Sequence, residues 1–302
     1  MANKQLQRLE MRFRELRDHM LGSALFGWNI TAKAFLRHIG GRGDLIMRSF
    51  ADHSILFDPA DHTISYALMR EGQWQREQLE RAVRLLRELR LNEQPSLFVD
   101  VGAHIGTQSI YAMATGAFEG GLAIEPEPRN FRLLKLNMQI NDLADKVTCL
   151  QSAAGEYEGE LPLFIDPANR SAHSLVRRPD HADGRVRVPI GRLDVLMNQS
   201  DLTPDLVGLV WLDVEGFEPQ VLRGMPDLLR KSVPLVIETN PTLYEGGIVA
   251  LMMILQDHYS HFVDLGFATS RPYPLGQLGA ITGQHDILVY LNPAEPRSGP
   301  AP

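Results

Sequence analysis

The stretch "VWLDVEGFE" sets two carboxylates, Asp213 and Glu215, two residues apart at the end of an apolar run. Side chains alternate along a strand, so this spacing predicts that both point to one face while Leu212 and Val214 point to the other. Like charges at a buried strand end repel each other and resist desolvation. A cation, a shared proton or a reacting hydroxyl would account for the pair. Glu215 could instead cap a helix beginning near Phe217, which explains one carboxylate but not both. The next apolar run, "LVIETN", delivers Glu238 and Asn240 to the same rim, although Glu238 could also bind a neighbouring helix start. His173, in "SAHSL", is either a base or a plain surface histidine. These carboxylates could hold Mg²⁺ under a diol through oxygen ligands and waters, but no dedicated metal spacing such as HExxH or paired CxxC is present.

A second group of residues surrounds a glycine loop. In "LFVDVGAHIG" an apolar run closes on Asp100 and passes into Gly102, Ala103, His104, Ile105 and Gly106. A dinucleotide site prefers GxGxxG, whose middle glycine admits the pyrophosphate; His104 holds that position and argues against a nucleotide phosphate. Glu125 closes the following run, 23 residues after Gly102, where a carboxylate can accept both hydroxyls of a ribose. It could equally be a solvated strand-end charge or a cap for the helix after Pro126. Ser152, Ala153 and Ala154 close the third run and leave room for a flat ring. The one cysteine, Cys149, sits within its run and reads as a small buried hydrophobe.

The elements that must position these groups alternate. "LFVDV", "GLAIE", "KVTCLQ", "LVGLVWLDV", "VPLVIE", "HFVDLG" and "DILVYL" read as strands, with helices at about residues 106–114, 128–140, 217–224 and 243–258. Such alternation predicts a doubly wound α/β fold whose ligands lie beyond the carboxyl ends of parallel strands. "GELPLFIDP" and "RVRVPI" interrupt the rhythm and read as an inserted antiparallel hairpin or flap. Upstream, Leu6, Leu9, Phe13, Leu16 and Met20 line one face of a helix that docks on its own domain or, alternatively, on a second copy to form a homodimer. "SILFDPADHTISYAL" reads as two short strands about a turn at Asp58-Pro59, and residues 73–91 as an amphipathic helix. The expected division is a helical and hairpin extension (1–94), a catalytic domain (95–290) and a disordered tail (291–302).

With 302 residues, 44% of them apolar, the chain can bury a large core; its formal charge of −7 offers no general attraction to nucleic acid or anionic lipid. No run has the length and apolarity of a leader or a membrane span, so the expected location is the cytosol.

"FVDVGAHIG", "AIEPEPRNFRLLKLNMQIN", "GRLDVL" and "LDVEGFEPQVLRG" resemble, in order and spacing, successive motifs of the FkbM family of S-adenosylmethionine-dependent methyltransferases over roughly residues 95–240. The resemblance implies the Rossmann-like class I sheet of seven mostly parallel strands. It implies Asp100, Gly102, Ala103 and Gly106 around the methionine end of the cofactor, Glu125 on the ribose diol, and Ser152 and Ala153 near the adenine. S-adenosylmethionine carries no phosphate, so its loop needs close backbone approach without a pyrophosphate cradle. Two positions depart from the family. His104 stands where Asn is common and could touch the cofactor carboxylate, and Trp211 stands where Lys is common. The expected activity is O-methylation of a hydroxyl on a sugar, glycan precursor or secondary metabolite, with Asp213, Glu215, Glu238 or His173 as base. The alternatives are a non-catalytic Rossmann-like binding domain and an NAD-dependent dehydrogenase. Against the second stand His104 and the lack of a Tyr-x-x-x-Lys pair.

Overall fold

The computed structural model describes residues 43–61, 63–91, 96–166, 173–176, 184–267 and 271–294, with Leu36 and His38. The helix expected along Leu6 to Met20 lies outside the described residues, as does the expected tail of 291–302 from residue 295 onward; of its described part, Asn292 N–H donates to the Ser260 hydroxyl. From residue 43 the extension forms a hairpin, β1 (Ile46–Ser49) and β2 (Ser54–Phe57), followed by α1 (Ile64–Arg70) and α2 (Arg76–Glu88). The expected turn at Asp58-Pro59 thus leads out of the hairpin, and "ISYALMR" is a helix instead of a strand. The Asp61 side chain accepts the Thr63 and Ile64 N–H groups and satisfies donors that a helix start would leave unpaired, while Ile64 and Leu68 bury one side of the helix.

Strands and helices then alternate as expected: β3 (Leu97–Val101), α3 (Thr107–Ala114), β4 (Gly120–Ile124), α4 (Pro128–Ile140) and β5 (Val147–Leu150). The insert is a three-stranded flap of β6 (Ala153–Gly155), β7 (Gly159–Phe164) and β8 (Arg185–Arg192), in which β7 and β8 pair antiparallel. After it come α5 (Leu193–Asn198), β9 (Val207–Leu212), α6 (Glu218–Arg223), α7 (Pro226–Lys231), β10 (Leu235–Thr239), α8 (Ile248–Leu255), β11 (His261–Asp264), β12 (Tyr273–Pro274) and β13 (His285–Tyr290). Helix α8 starts later than expected because Gly246 and Gly247 take positive φ of 86° and 64° just before it.

The main sheet has the order β12-β11-β13-β10-β9-β3-β4-β5, with β10 through β5 parallel and β13 antiparallel to both neighbours. The eighth strand, beyond the seven expected, is the two-residue β12 at the edge, where Pro274 needs no ladder donor. Both faces are covered. Val99, Leu122, Val210 and Ile237 enter one apolar cluster with residues of α5 to α8; Phe98, Ala123, Leu209 and Val236 enter the other with residues of the extension, α3 and α4. That alternation is why the strands read as continuously apolar. Successive connections run outward from β3 toward β5 and from β9 toward β13, so the order reverses between β3 and β9. The crevice at that reversal is where the candidate residues gather. Among the described residues no helix is long and apolar enough to cross a membrane.

Candidate active site

The loop after β3 is fixed by its own backbone. The N–H groups of Gly102 and Ala103 both donate to the Ile124 carbonyl, at 3.0 and 2.9 Å, and Gly106 N–H donates to Ala103 at 2.7 Å. Gly102 adopts φ +87°, and a Cβ there would stand 1.8 Å from the Asp213 carbonyl oxygen, so only glycine lets β3 and β9 close at this point. Gly106 begins α3 and leaves no room for a Cβ against Leu134 and Met138. Asp100 lies beneath the loop, buried, and accepts the Ser109 hydroxyl at 2.6 Å. Its burial pushes the carboxyl up to about 7, against the pull of Ser109. Asp100 lines neither cavity described below and supports the loop from behind.

Glu125 closes β4 facing the loop. One carboxylate oxygen accepts the His104 N–H and the other the Glu127 N–H, both at 2.9 Å. Each oxygen keeps a further lone pair for a ribose hydroxyl. Burial pushes this carboxyl up to about 7, opposed by His104 and the two N–H donors. The helix after Pro126 is capped by Glu127, whose side chain accepts the Arg129 and Asn130 N–H groups, so Glu125 is not its cap.

Asp213, Glu215 and Glu238 converge, with carboxylate oxygens all within 4.8 Å of one another, a spacing that can share a proton or take a hard cation. The pleat does not bring the first two together. Strand β9 ends at Leu212, and Glu215 (φ +54°) and Gly216 (φ +97°) turn left-handed beyond it. That turn wraps around Glu218, buried at the start of α6, whose side chain accepts the Val214 and Gly216 N–H groups at 3.1 and 3.2 Å. No side chain caps α6, so the capping considered for Glu215 is not made, and Glu218 instead holds the turn that leads into the helix. Its signal in the sequence was its place in the first turn of a helix after a glycine. The flap grips the same turn through Ser174, whose hydroxyl donates to the Glu215 carbonyl at 2.6 Å. Burial, reinforced by Glu238 and Glu215, raises the Asp213 carboxyl well above the usual range. Glu238 accepts an N–H of Gln284 at 2.7 Å and lies 3.5 Å from the Gln75 amide nitrogen. Neither glutamine stands out in the sequence.

Two cavities meet here. One is a slot of about 50 Å³ lined by Glu125, Ser152, Ala153, Ala154 and the flap residues Leu163, His173 and Leu175. The other is a chamber of about 390 Å³ lined by Thr63, Trp74 and Gln75 of the extension together with Ala103, Gln108, Trp211, Glu238 and Gln284. Gly102, His104, Asp213 and Glu215 line both. His173 thus reaches the site from the flap; its Nδ1 accepts the Asp166 N–H at 3.0 Å, which leaves Nε2 as the protonated atom of the neutral ring. Cys149 lies within β5, and burial pushes its thiol up to about 11, which disfavours the thiolate. Among the described residues no lysine or arginine lines either cavity.

The chain is similar to several known proteins. A curated relative, the methyltransferase sdnD of Sordaria araneosa, is 30% identical over 155 residues, which cover 43% of this chain and 60% of that one. Among solved structures, the methyltransferase FkbM from Methylobacillus flagellatus KT is 16% identical with a TM-score of 0.42, over 77% of this chain and 58% of that one. An S-adenosylmethionine-dependent O-methyltransferase from Thermotoga maritima is 13% identical with a TM-score of 0.39, over 84% of this chain and 80% of that one. The family model for the methyltransferase FkbM domain matches residues 100–268, more than half of the chain and all of the sheet from Asp100 through β11. The chain belongs to the FkbM methyltransferase domain family.

Proposed function

We propose that this chain is an S-adenosylmethionine-dependent methyltransferase acting on a hydroxyl oxygen of a sugar, glycan precursor or secondary metabolite. One observation carries the reading: the narrow slot edged by Glu125 and the wider chamber edged by Glu238 share the wall of Gly102, His104, Asp213 and Glu215. A group held in the slot can therefore face an acceptor in the chamber. The residues suit the cofactor, with a diol acceptor in Glu125, a small-residue wall at Ser152 to Ala154, and glycine where the backbone comes close. The bound cofactor supplies an already activated methyl group, so the protein's task is chiefly alignment. Glu125 orients the ribose, and the flap residues Leu163, His173 and Leu175 wall the slot opposite it.

The acceptor's proton goes to the carboxylate cluster. Burial and the neighbouring Glu238 keep a proton on Asp213, so the pair holds one proton and one negative charge, and a hydroxyl hydrogen-bonded to the ionised oxygen passes its proton there. His173 reaches the slot from the flap, with its Nδ1 holding the Asp166 N–H. The test is transfer of a labelled methyl group to paired acceptors that differ only in one hydroxyl. Label appearing only on the hydroxylated member supports oxygen transfer; label on an amine or carbon position overturns it.

A further inference from the structure

His104 stands in the middle of the cofactor loop at φ +51°, a region that costs a side-chain-bearing residue about 1 kcal/mol. Its ring is buried, and Nε2 lies 3.3 Å from Asp61 Oδ2, the two side chains being 13% and 5% exposed. Its main-chain N–H is the donor to Glu125. Asp61 is itself fixed. Its other carboxylate oxygen accepts the Thr63 and Ile64 N–H groups at 3.3 and 3.4 Å, and its carbonyl accepts both the N–H and the hydroxyl of Ser65. One aspartate thus starts helix α1 with one oxygen and faces the cofactor loop with the other.

We infer that Asp61 and His104 are positioning residues for cofactor binding: their ion pair ties the loop to the N-terminal extension and keeps the His104 N–H on the carboxylate that faces the ribose. This rests on the cofactor reading above. The tether holds His104 at a left-handed φ that its side chain does not itself favour. Without the ring contact, the loop between the Gly102 and Gly106 anchors is free to relax toward negative φ and withdraw its N–H from Glu125.

The charges around the ring favour its protonated form. Asp61 faces it from the turn before α1, with Asp58 beside it already paired to Arg129. Glu125 and Glu127 face it from the end of β4 and the start of α4. Asp213, Glu215, Glu238 and Asp166 lie across the two cavities that it lines. Burial disfavours the charged ring, but Asp61, Glu125 and Glu127 outweigh it and raise the histidine above its usual range. The pair therefore persists at neutral pH and dissolves as pH rises through the raised value. In the opposite direction, Glu125 must shed its proton, near 7, before it can accept two hydroxyls.

The test is calorimetric titration of the full chain with S-adenosylhomocysteine from pH 6 to 9, for the wild type, Asp61→Asn and His104→Asn. Both substitutions are mild: Asn at 61 keeps an oxygen for the α1 donors, and Asn at 104 tolerates left-handed φ. The wild type should bind more tightly as pH rises through about 7 and then more weakly on the alkaline side. Asp61→Asn should move the alkaline limb to lower pH and weaken binding about five- to tenfold at pH 8. His104→Asn should abolish the alkaline limb and shift the acid limb upward, because Glu125 loses its neighbouring cation. Profiles in both variants that parallel the wild type, offset or not, overturn the inference, since loss of packing alone moves affinity without moving pH dependence. If Asp61→Asn unfolds, His104→Asn decides alone. A wild type that binds S-adenosylhomocysteine with a flat profile overturns the tether but keeps the cofactor reading; one that does not bind it at all overturns both.

Discussion

Gly102 and Asp213 meet backbone to backbone: a Cβ on the glycine would stand 1.8 Å from the aspartate carbonyl oxygen. The loop after β3 is thereby pressed onto the strand end that carries the acid cluster, and movement in one shifts the other. Gly102→Ala forces that contact apart and places alanine at φ +87°. It should cost about 3 kcal/mol or more of stability and abolish S-adenosylhomocysteine binding. Thermal unfolding and calorimetry check this; a variant with wild-type Tm contradicts the close approach.

Glu125 is read as the ribose acceptor although both of its oxygens already hold main-chain N–H groups. Glu125→Ala removes the diol acceptor and leaves two buried donors unpaired. Cofactor affinity should fall about tenfold or more, with the larger loss for S-adenosylhomocysteine than for any fragment that lacks the ribose. Equal losses for both would place Glu125 away from the sugar.

Asp213 and Glu238 are assigned to the acceptor's proton, and substitution should separate rate from cofactor binding. Asp213→Asn and Glu238→Gln should each lower kcat by about a hundredfold or more while cofactor Kd changes little. Unchanged turnover in both variants would remove the cluster from the chemistry.

Asp100 gives a stability test independent of any acceptor. Its carboxyl is raised from an unfolded value of 3.8 to about 7 in the folded chain, so the folded state binds the extra proton between those values. This group's contribution is fully present below about pH 4 and is lost as pH rises toward 7 and beyond. Asp100→Asn, which keeps an oxygen for the Ser109 hydroxyl, should gain on the wild-type Tm as pH rises from 5 to 8, by about 2 °C or more. A larger difference at pH 5 than at pH 8 would reverse the sign and contradict the burial.

Much of the fold is legible because its strands are buried on both faces. Runs such as "LVGLVWL" must be central strands, and the polar residues that close them must be explained by a site. The flap was legible from two β-rich runs with no helix period between them. What misled was local. "ISYAL" has strand-like composition, and its helix depends on Asp61, three residues upstream, whose side chain satisfies the first N–H groups. The pairing of Asp213 with Glu215 was right in outcome and wrong in cause, because a left-handed turn around Glu218 replaces the pleat. Gln75 and Gln284 were not legible at all. Amides carry no motif, and their distance in sequence from Glu238 is closed only by tertiary packing.

The most direct measurement is calorimetric titration of the purified chain with S-adenosylmethionine, S-adenosylhomocysteine and NAD⁺, with Glu125→Ala in parallel. The expected result is saturable binding of the first two to the wild type, weaker binding to the variant, and none of NAD⁺. Binding of NAD⁺ alone, or equal binding of S-adenosylmethionine to both proteins, would contradict the assignment of the slot.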